Sequence, residues 1–129
     1  MTGEIIAQGN YADGERNGDW KFKSDNFTEE GKFIVGLKDG LWKSYYTNGK
    51  LKFKGNFVQG NPDGEQSYYY ESGKIKEEQH FQSGIRQKTW KKFDEEGTTV
   101  LVIAYKDDVE ISINGIKIKL PESDTRLIK

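Results

Sequence analysis

A chain of 129 residues is the length of one domain, and 20 basic against 21 acidic residues leave a net charge of −1, too little field to attract phosphate backbones or an anionic membrane surface. Nucleic acid is therefore not an expected partner and membrane binding is disfavoured, while the absence of cysteine rules out disulfides and thiolate metal sites and fits a cytoplasmic chain, or an exported one whose signal has been removed. With 33% hydrophobic and 32% charged residues the composition borders on disorder, and the three Trp, seven Tyr and seven Phe spread along the chain are what make a folded core possible.

In chain order, residues 1–8 show no basic segment followed by a long apolar run, and no stretch of the chain approaches the ~18 apolar residues of a membrane helix. Gly9-x-Tyr11-x-x-Gly14-x-x-x-Gly18-x-Trp20 then opens a pattern that returns 22 residues later as Gly31-x-Phe33-x-x-Gly36-x-x-x-Gly40-x-Trp42. From there the period is 24: Phe33, Phe57, Phe81 and Tyr105; Gly36, Gly60 and Gly84; Tyr45, Tyr69 and Phe93; Gly49, Gly73 and Gly97. A fixed period of this size means one small unit stacked on copies of itself. We divide a single domain into repeats at about 9–30, 31–54, 55–78 and 79–102.

Within a unit, runs such as 41–46 and 50–57 are strand-length and rich in aromatic and β-favouring residues. The segments 36–40 and 60–64 read as turns, and Thr47-Asn48-Gly49, Glu71-Ser72-Gly73 and Glu95-Glu96-Gly97 as tight hairpin connections, because Gly accepts positive φ and Asn, Asp and Pro favour turns. Two turns in 24 residues leave no room for an ordinary helix. The expected fold is all-β, an elongated antiparallel meander of stacked hairpins. Segment 103–121 reads as a capping hairpin, in which an Asn114-Gly115 turn pairs Ile113 with Ile116, Ile111 with Ile118 and Val109 with Leu120; Pro121 ends it and 122–129 forms a tail. Trp42 and Tyr45 stand three apart, which requires either a bulge or aromatic side chains on both faces.

These motifs resemble the MORN-type repeat, more closely the bacterial variant found in the YwqK-like antitoxin family. The resemblance rests on Gly31-Lys32-Phe33, Gly36, Asp39-Gly40-Leu41-Trp42, Tyr45-Tyr46 and Asn48-Gly49-Lys50-Leu51, with copies at Gly55-Asn56-Phe57, Gly60, Asp63-Gly64, Tyr68-Tyr69-Tyr70 and Ser72-Gly73-Lys74-Ile75. It covers about residues 9–105 and implies a sheet of stacked hairpins that serves as an interaction surface, in some bacterial members one that neutralises a toxin. The chain departs from the pattern at Lys88, Gln79 and Asp108, each in place of a repeat glycine.

No nucleophile elbow, phosphate loop or His-Glu-x-x-His metal pair is present, so neither enzyme activity nor a cofactor or metal is expected. The single His80 occupies a position filled by Lys32 and Asn56 in other copies and reads as a solvated strand residue; Glu77-Glu78, Asp94-Glu95-Glu96 and Asp107-Asp108 sit near predicted turns. The aromatic residues are the better candidates, because Trp and Tyr bring large contact area to interfaces at low entropic cost. Trp42, Tyr46, Tyr68, Tyr70 and Trp90 are the expected partner-binding set, the alternative being that such rings form the core of a thin sheet. The expected function is a non-enzymatic protein-interaction module, antitoxin-like or immunity-like, that masks a partner protein such as a toxin; a peripheral lipid adaptor or a carbohydrate-binding structural protein is the alternative.

Overall fold

A computed structural model describes residues 6–114, 116 and 117 as one antiparallel sheet built in chain order. Its strands are β1 (Ile6–Ala12), β2 (Glu15–Lys23), β3 (Phe27–Ile34), β4 (Leu37–Tyr46), β5 (Leu51–Val58), β6 (Asn61–Tyr69), β7 (Ile75–Gln82), β8 (Ile85–Arg86), β9 (Lys88–Phe93), β10 (Thr99–Lys106), β11 (Val109–Ile113) and β12 (Ile116–Lys117). Each strand pairs with the next along the chain, except that the short β8 sits beside β7 and the path continues from β7 to β9. The expected meander is thus the observed fold. In the C-terminal hairpin Ile113 pairs with Ile116; the expected pairs of Ile111 and Val109, Pro121 and the tail lie outside the described residues.

Two kinds of connection alternate. At Asp13-Gly14, Val35-Gly36, Gln59-Gly60, Ser83-Gly84 and Asp107-Asp108 both central residues have positive φ, the signature of a two-residue type I′ turn whose twist matches that of the strands it joins. The turns expected across 36–40 and 60–64 are therefore shorter than the sequence suggested, and Leu37–Gly40 and Asn61–Gly64 already belong to strands. Gly40 and Gly64, with φ of 77° and 81°, serve a different purpose, relaxing a bulge in which the span from Asp39 to Lys43 faces only Glu30 to Lys32. The other connections are loops such as 47–50, closed by Tyr46 N–H to the Lys50 carbonyl (2.8 Å) and Gly49 N–H to the Tyr46 carbonyl (2.9 Å).

The shorter first period has a local cause. Between β2 and β3 the register runs unbroken from Gly18–Phe33 to Lys23–Thr28, whereas β4 and β5 slip by one where Ser44 faces Phe53 but Tyr45 faces Leu51. Lys52 is thus an extra bulged residue, and the loop beyond it is one residue longer, which together account for the difference between 22 and 24.

Trp42, Ser44 and Tyr46 alternate with Lys43 and Tyr45 along β4, so aromatic side chains do occupy both faces. One face carries the core: Trp20, Phe33 and Trp42 buried together, with Phe22 and Phe57 packed against them.

Candidate protein interface

The core rests on a device repeated along the sheet. A glycine leaves bare backbone on one strand, and the large side chain of the neighbouring strand lies down on it. The Trp42 indole covers Gly31 and donates Nε1–H to the Lys32 carbonyl at 3.0 Å; Trp20 covers Gly9 and donates to the Asn10 carbonyl at 2.9 Å; Gln66 covers Gly55 and donates Nε2–H to the Asn56 carbonyl at 2.8 Å. At three of the four type I′ glycines, Gly14, Gly36 and Gly84, a cation two residues further on closes the cluster from outside, whereas Gly60 is followed by Pro62. Arg16 lies 5.0 Å above the Trp20 ring centre and 5.6 Å from that of Phe33, Lys38 lies 4.5 Å above Trp42, and Arg86 4.5 Å above Tyr105. These roofs, with Phe33 edge-on at 5.0 Å, leave Trp42 with 0% exposure in a sheet one layer thick.

This placement corrects part of the expected binding set. Trp42 is core, because the missing side chain at Gly31 lets its ring sink onto the backbone. Trp90 keeps the hydrogen bond to its neighbouring strand (Nε1–H to the His80 carbonyl, 3.0 Å) but faces Gln79 where its counterparts face glycine, and stands half-buried between Phe81 (5.0 Å) and Tyr105 (5.1 Å). Tyr46 and Tyr70 are half-buried and committed inside the fold: their hydroxyls donate to the Tyr69 and Phe93 carbonyls of the next repeat, both at 2.6 Å. Burial, and then the charge of Glu71, hold the Tyr46 hydroxyl above the ordinary tyrosine range, keeping that donor protonated. Tyr68 alone of the five is exposed, its ring 4.9 Å from that of Phe53, with partial burial and then Glu77 raising its pKa.

The polar groups have local partners. His80 Nδ1 lies 2.9 Å from the Thr89 carbonyl and its Nε2 3.7 Å from Glu65. Asp94 accepts from the N–H groups of Glu96 and Thr98 at 3.0 and 2.9 Å, which shapes its turn. Among the described residues no three His, Asp or Glu side chains gather in a way that could hold a metal ion.

The sequence reading missed an exposed aliphatic patch on the face opposite the rings. Ile34, Val35, Leu37, Leu41 and Val58 are 43–65% exposed, on neighbouring strands β3, β4 and β5 and the turn between the first two. Ile34 pairs directly with Leu37, and a side chain at Gly60 in the next turn would meet Leu37. Beside the patch runs a shallow groove of about 520 Å³, lined in part by Gln8, Asp19, Lys21, Glu30, Leu41 and Lys43. Aligning the copies would have exposed the signal: in the first unit the same positions hold Ala12, Asp13, Glu15 and Asp19, and in the fourth Gln82, Ser83, Ile85 and Thr89.

Val35 is the most informative member. Its φ of 49° lies in the left-handed region, where a β-branched side chain is disfavoured, and the four equivalent turns place Asp13, Gln59, Ser83 and Asp107 there. At this strained backbone position the apolar side chain is 65% exposed.

No curated protein matches this chain. Residues 38–59 and 62–83 match the MORN repeat variant, two successive copies centred on the β4–β5 and β6–β7 connections. Residues 38–83 thus carry two MORN-type repeats, and the glycine-and-ring device of the matched region recurs before it, where Trp20 covers Gly9.

Proposed function

We propose that this chain is a non-enzymatic docking module whose contact surface is the aliphatic patch Ile34, Val35, Leu37, Leu41 and Val58, and that it acts by covering a surface of a partner protein, in the manner of an antitoxin. MORN repeats are commonly interaction modules for proteins or membranes, and the repeat type is non-catalytic. The observation that carries the reading is Val35. The equivalent turns place the polar Asp13, Gln59, Ser83 and Asp107 there, so an exposed β-branched valine held at a left-handed φ points to something outside the fold. Clustered exposed aliphatic side chains beside charged ones, here Lys21, Glu30 and Lys43, match the pattern of an apolar contact centre within a polar rim.

The test is affinity capture from the native cell with the tagged chain, comparing wild type with Val35→Asn and Leu37→Asp. The expected result is one stoichiometric partner bound by wild type and lost from both variants, with Val35→Asn melting no lower than wild type. A partner retained equally by both variants, or none captured, would overturn the patch. Growth arrest by the partner alone, relieved by co-expression of this chain, separates the antitoxin reading from a scaffold.

A further inference from the structure

The outer edge of β1 lies apart from the aliphatic patch and, among the described residues, β1 is paired on one side only. We propose that β1 pairs antiparallel with β1 of a second copy of this chain, about a two-fold axis at Gly9, joining two sheets into one.

Three observations carry this. The first is that the edge is open and competent. Every residue of β1 is exposed, and among the described residues its only sheet neighbour is β2. By the repeat, β1 is the counterpart of β3 and β5, since Gly9, Gly31 and Gly55 all lie beneath the large side chain of the next strand. Both counterparts are paired on the outer side: β3 with β2, unbroken from Gly18–Phe33 to Lys23–Thr28, and β5 with β4 from Gly40–Phe57 to Ser44–Phe53. The bulge between β1 and β2 puts its extra residues on β2, as the corresponding bulge of the next hairpin puts its own on β4, so it leaves the outer side of the first strand regular.

The second is that β1 carries none of the devices that keep an edge single. In a chain 32% charged, every other described strand contains at least one Lys, Arg, Asp or Glu, whereas β1 reads Ile6, Ala7, Gln8, Gly9, Asn10, Tyr11, Ala12 with neither charge nor proline. Exposed edges in monomeric proteins are guarded by lysines, prolines or bulges in the edge strand.

The third is self-complementarity, which selects a second copy over an unrelated strand. A two-fold axis at Gly9 places Ile6 opposite Ala12, Ala7 opposite Tyr11 and Gln8 opposite Asn10, each pair occurring twice. Large side chains thus meet small ones, the two amides meet each other, and the glycines meet at the centre, which is the isologous complementarity a closed dimer requires.

The experiment uses the full chain in analytical ultracentrifugation, with cysteine cross-linking to fix the register. Wild type is expected to form a concentration-dependent dimer, and Gln8→Lys with Asn10→Lys, which brings lysines face to face across the axis, is expected to abolish it without lowering the melting temperature measured at dilutions where wild type is monomeric. Because the chain has no cysteine, Gln8→Cys mixed with Asn10→Cys should oxidise to a disulfide-linked heterodimer, while either variant alone should not. A monomeric wild type, a dimer undisturbed by the two lysines, or equal cross-linking of each single variant with itself would each overturn the proposal.

Discussion

Gly31 shows how much of this fold hangs on single atoms. A Cβ built there would fall within the Trp42 indole, and Trp42 is pinned by its hydrogen bond to Lys32 and by rings on two sides, so it has nowhere to go. Gly31→Ala should therefore destabilise the chain by about 1–3 kcal/mol in urea unfolding, as overpacking does elsewhere, far beyond the effect of a methyl on an open strand. Lys88 presents the opposite case. It holds a φ of 59° at the position where Gly18, Gly40 and Gly64 hold 77–81°, so Lys88→Gly should stabilise by about 0.5–1 kcal/mol, the relief of a left-handed backbone less the extra freedom of an unfolded glycine. A loss of stability would mean that Lys88 makes a contact more valuable than its strain. The glycine period was legible because glycines are the residues a positive φ or a close ring demands. What the period did not separate was its reasons: Gly36 serves a turn, Gly40 a bulge and Gly31 a ring, and in sequence all three are a glycine at a fixed spacing.

At the scale of the strand, alternation is the rule by which faces are read, and bulges are where it fails. The span Asp39 to Lys43 and the extra Lys52 both change the register across a pair, and neither shows in composition, so the strand count could be read while the inward set could not. Tyr46 and Tyr70 illustrate the consequence. As side chains of a type that brings large contact area to interfaces they suggested a contact surface, but each hydroxyl reaches the main chain of the next repeat and links consecutive hairpins at the loop end. Tyr46→Phe and Tyr70→Phe are each expected to cost about 1 kcal/mol, the usual net value of such a hydrogen bond. Since the two lie a full repeat apart, the double variant should lose close to the sum. Chemical denaturation of the four proteins decides it, and unchanged midpoints would show that water replaces the hydroxyls freely and that these tyrosines are available to a partner.

The whole molecule is a row of strands in which the substantial contacts run between sheet neighbours, so its stability is close to a sum of units and the interfaces between them. That architecture was readable from the period, but where the row is weak was not, because weakness depends on which roof sits on which ring. The clustered rings Trp20, Phe22, Phe33 and Trp42 anchor the first half, while β10 and β11 are tied back by Tyr105, Arg86 and Asp108. Arg86 Nε donates to Asp108 at 2.6 Å, and its Nη2 donates to the Asp108 carbonyl at 3.0 Å. The Nε bond, and with it the Arg86 main-chain N–H that donates to the same Oδ1 at 3.3 Å, hold the Asp108 carboxyl below the ordinary carboxylate range. A carboxylate whose pKa is depressed by folding contributes stability that is complete above its unfolded value, about 3.9, and lost as pH falls through the lower folded value. Asp108→Asn removes that dependence while keeping a residue that tolerates the φ of 71° found here. The difference in melting temperature between wild type and Asp108→Asn should therefore shift in favour of wild type between pH 2.5 and pH 6. Exposure of the pair keeps the shift small, and hydrogen exchange should place it in β10 and β11 with β3 to β6 unchanged. A shift spread evenly over the sheet would mean that the row unfolds as one cooperative block, and that the acid-sensitive contact at its far end is felt by every repeat.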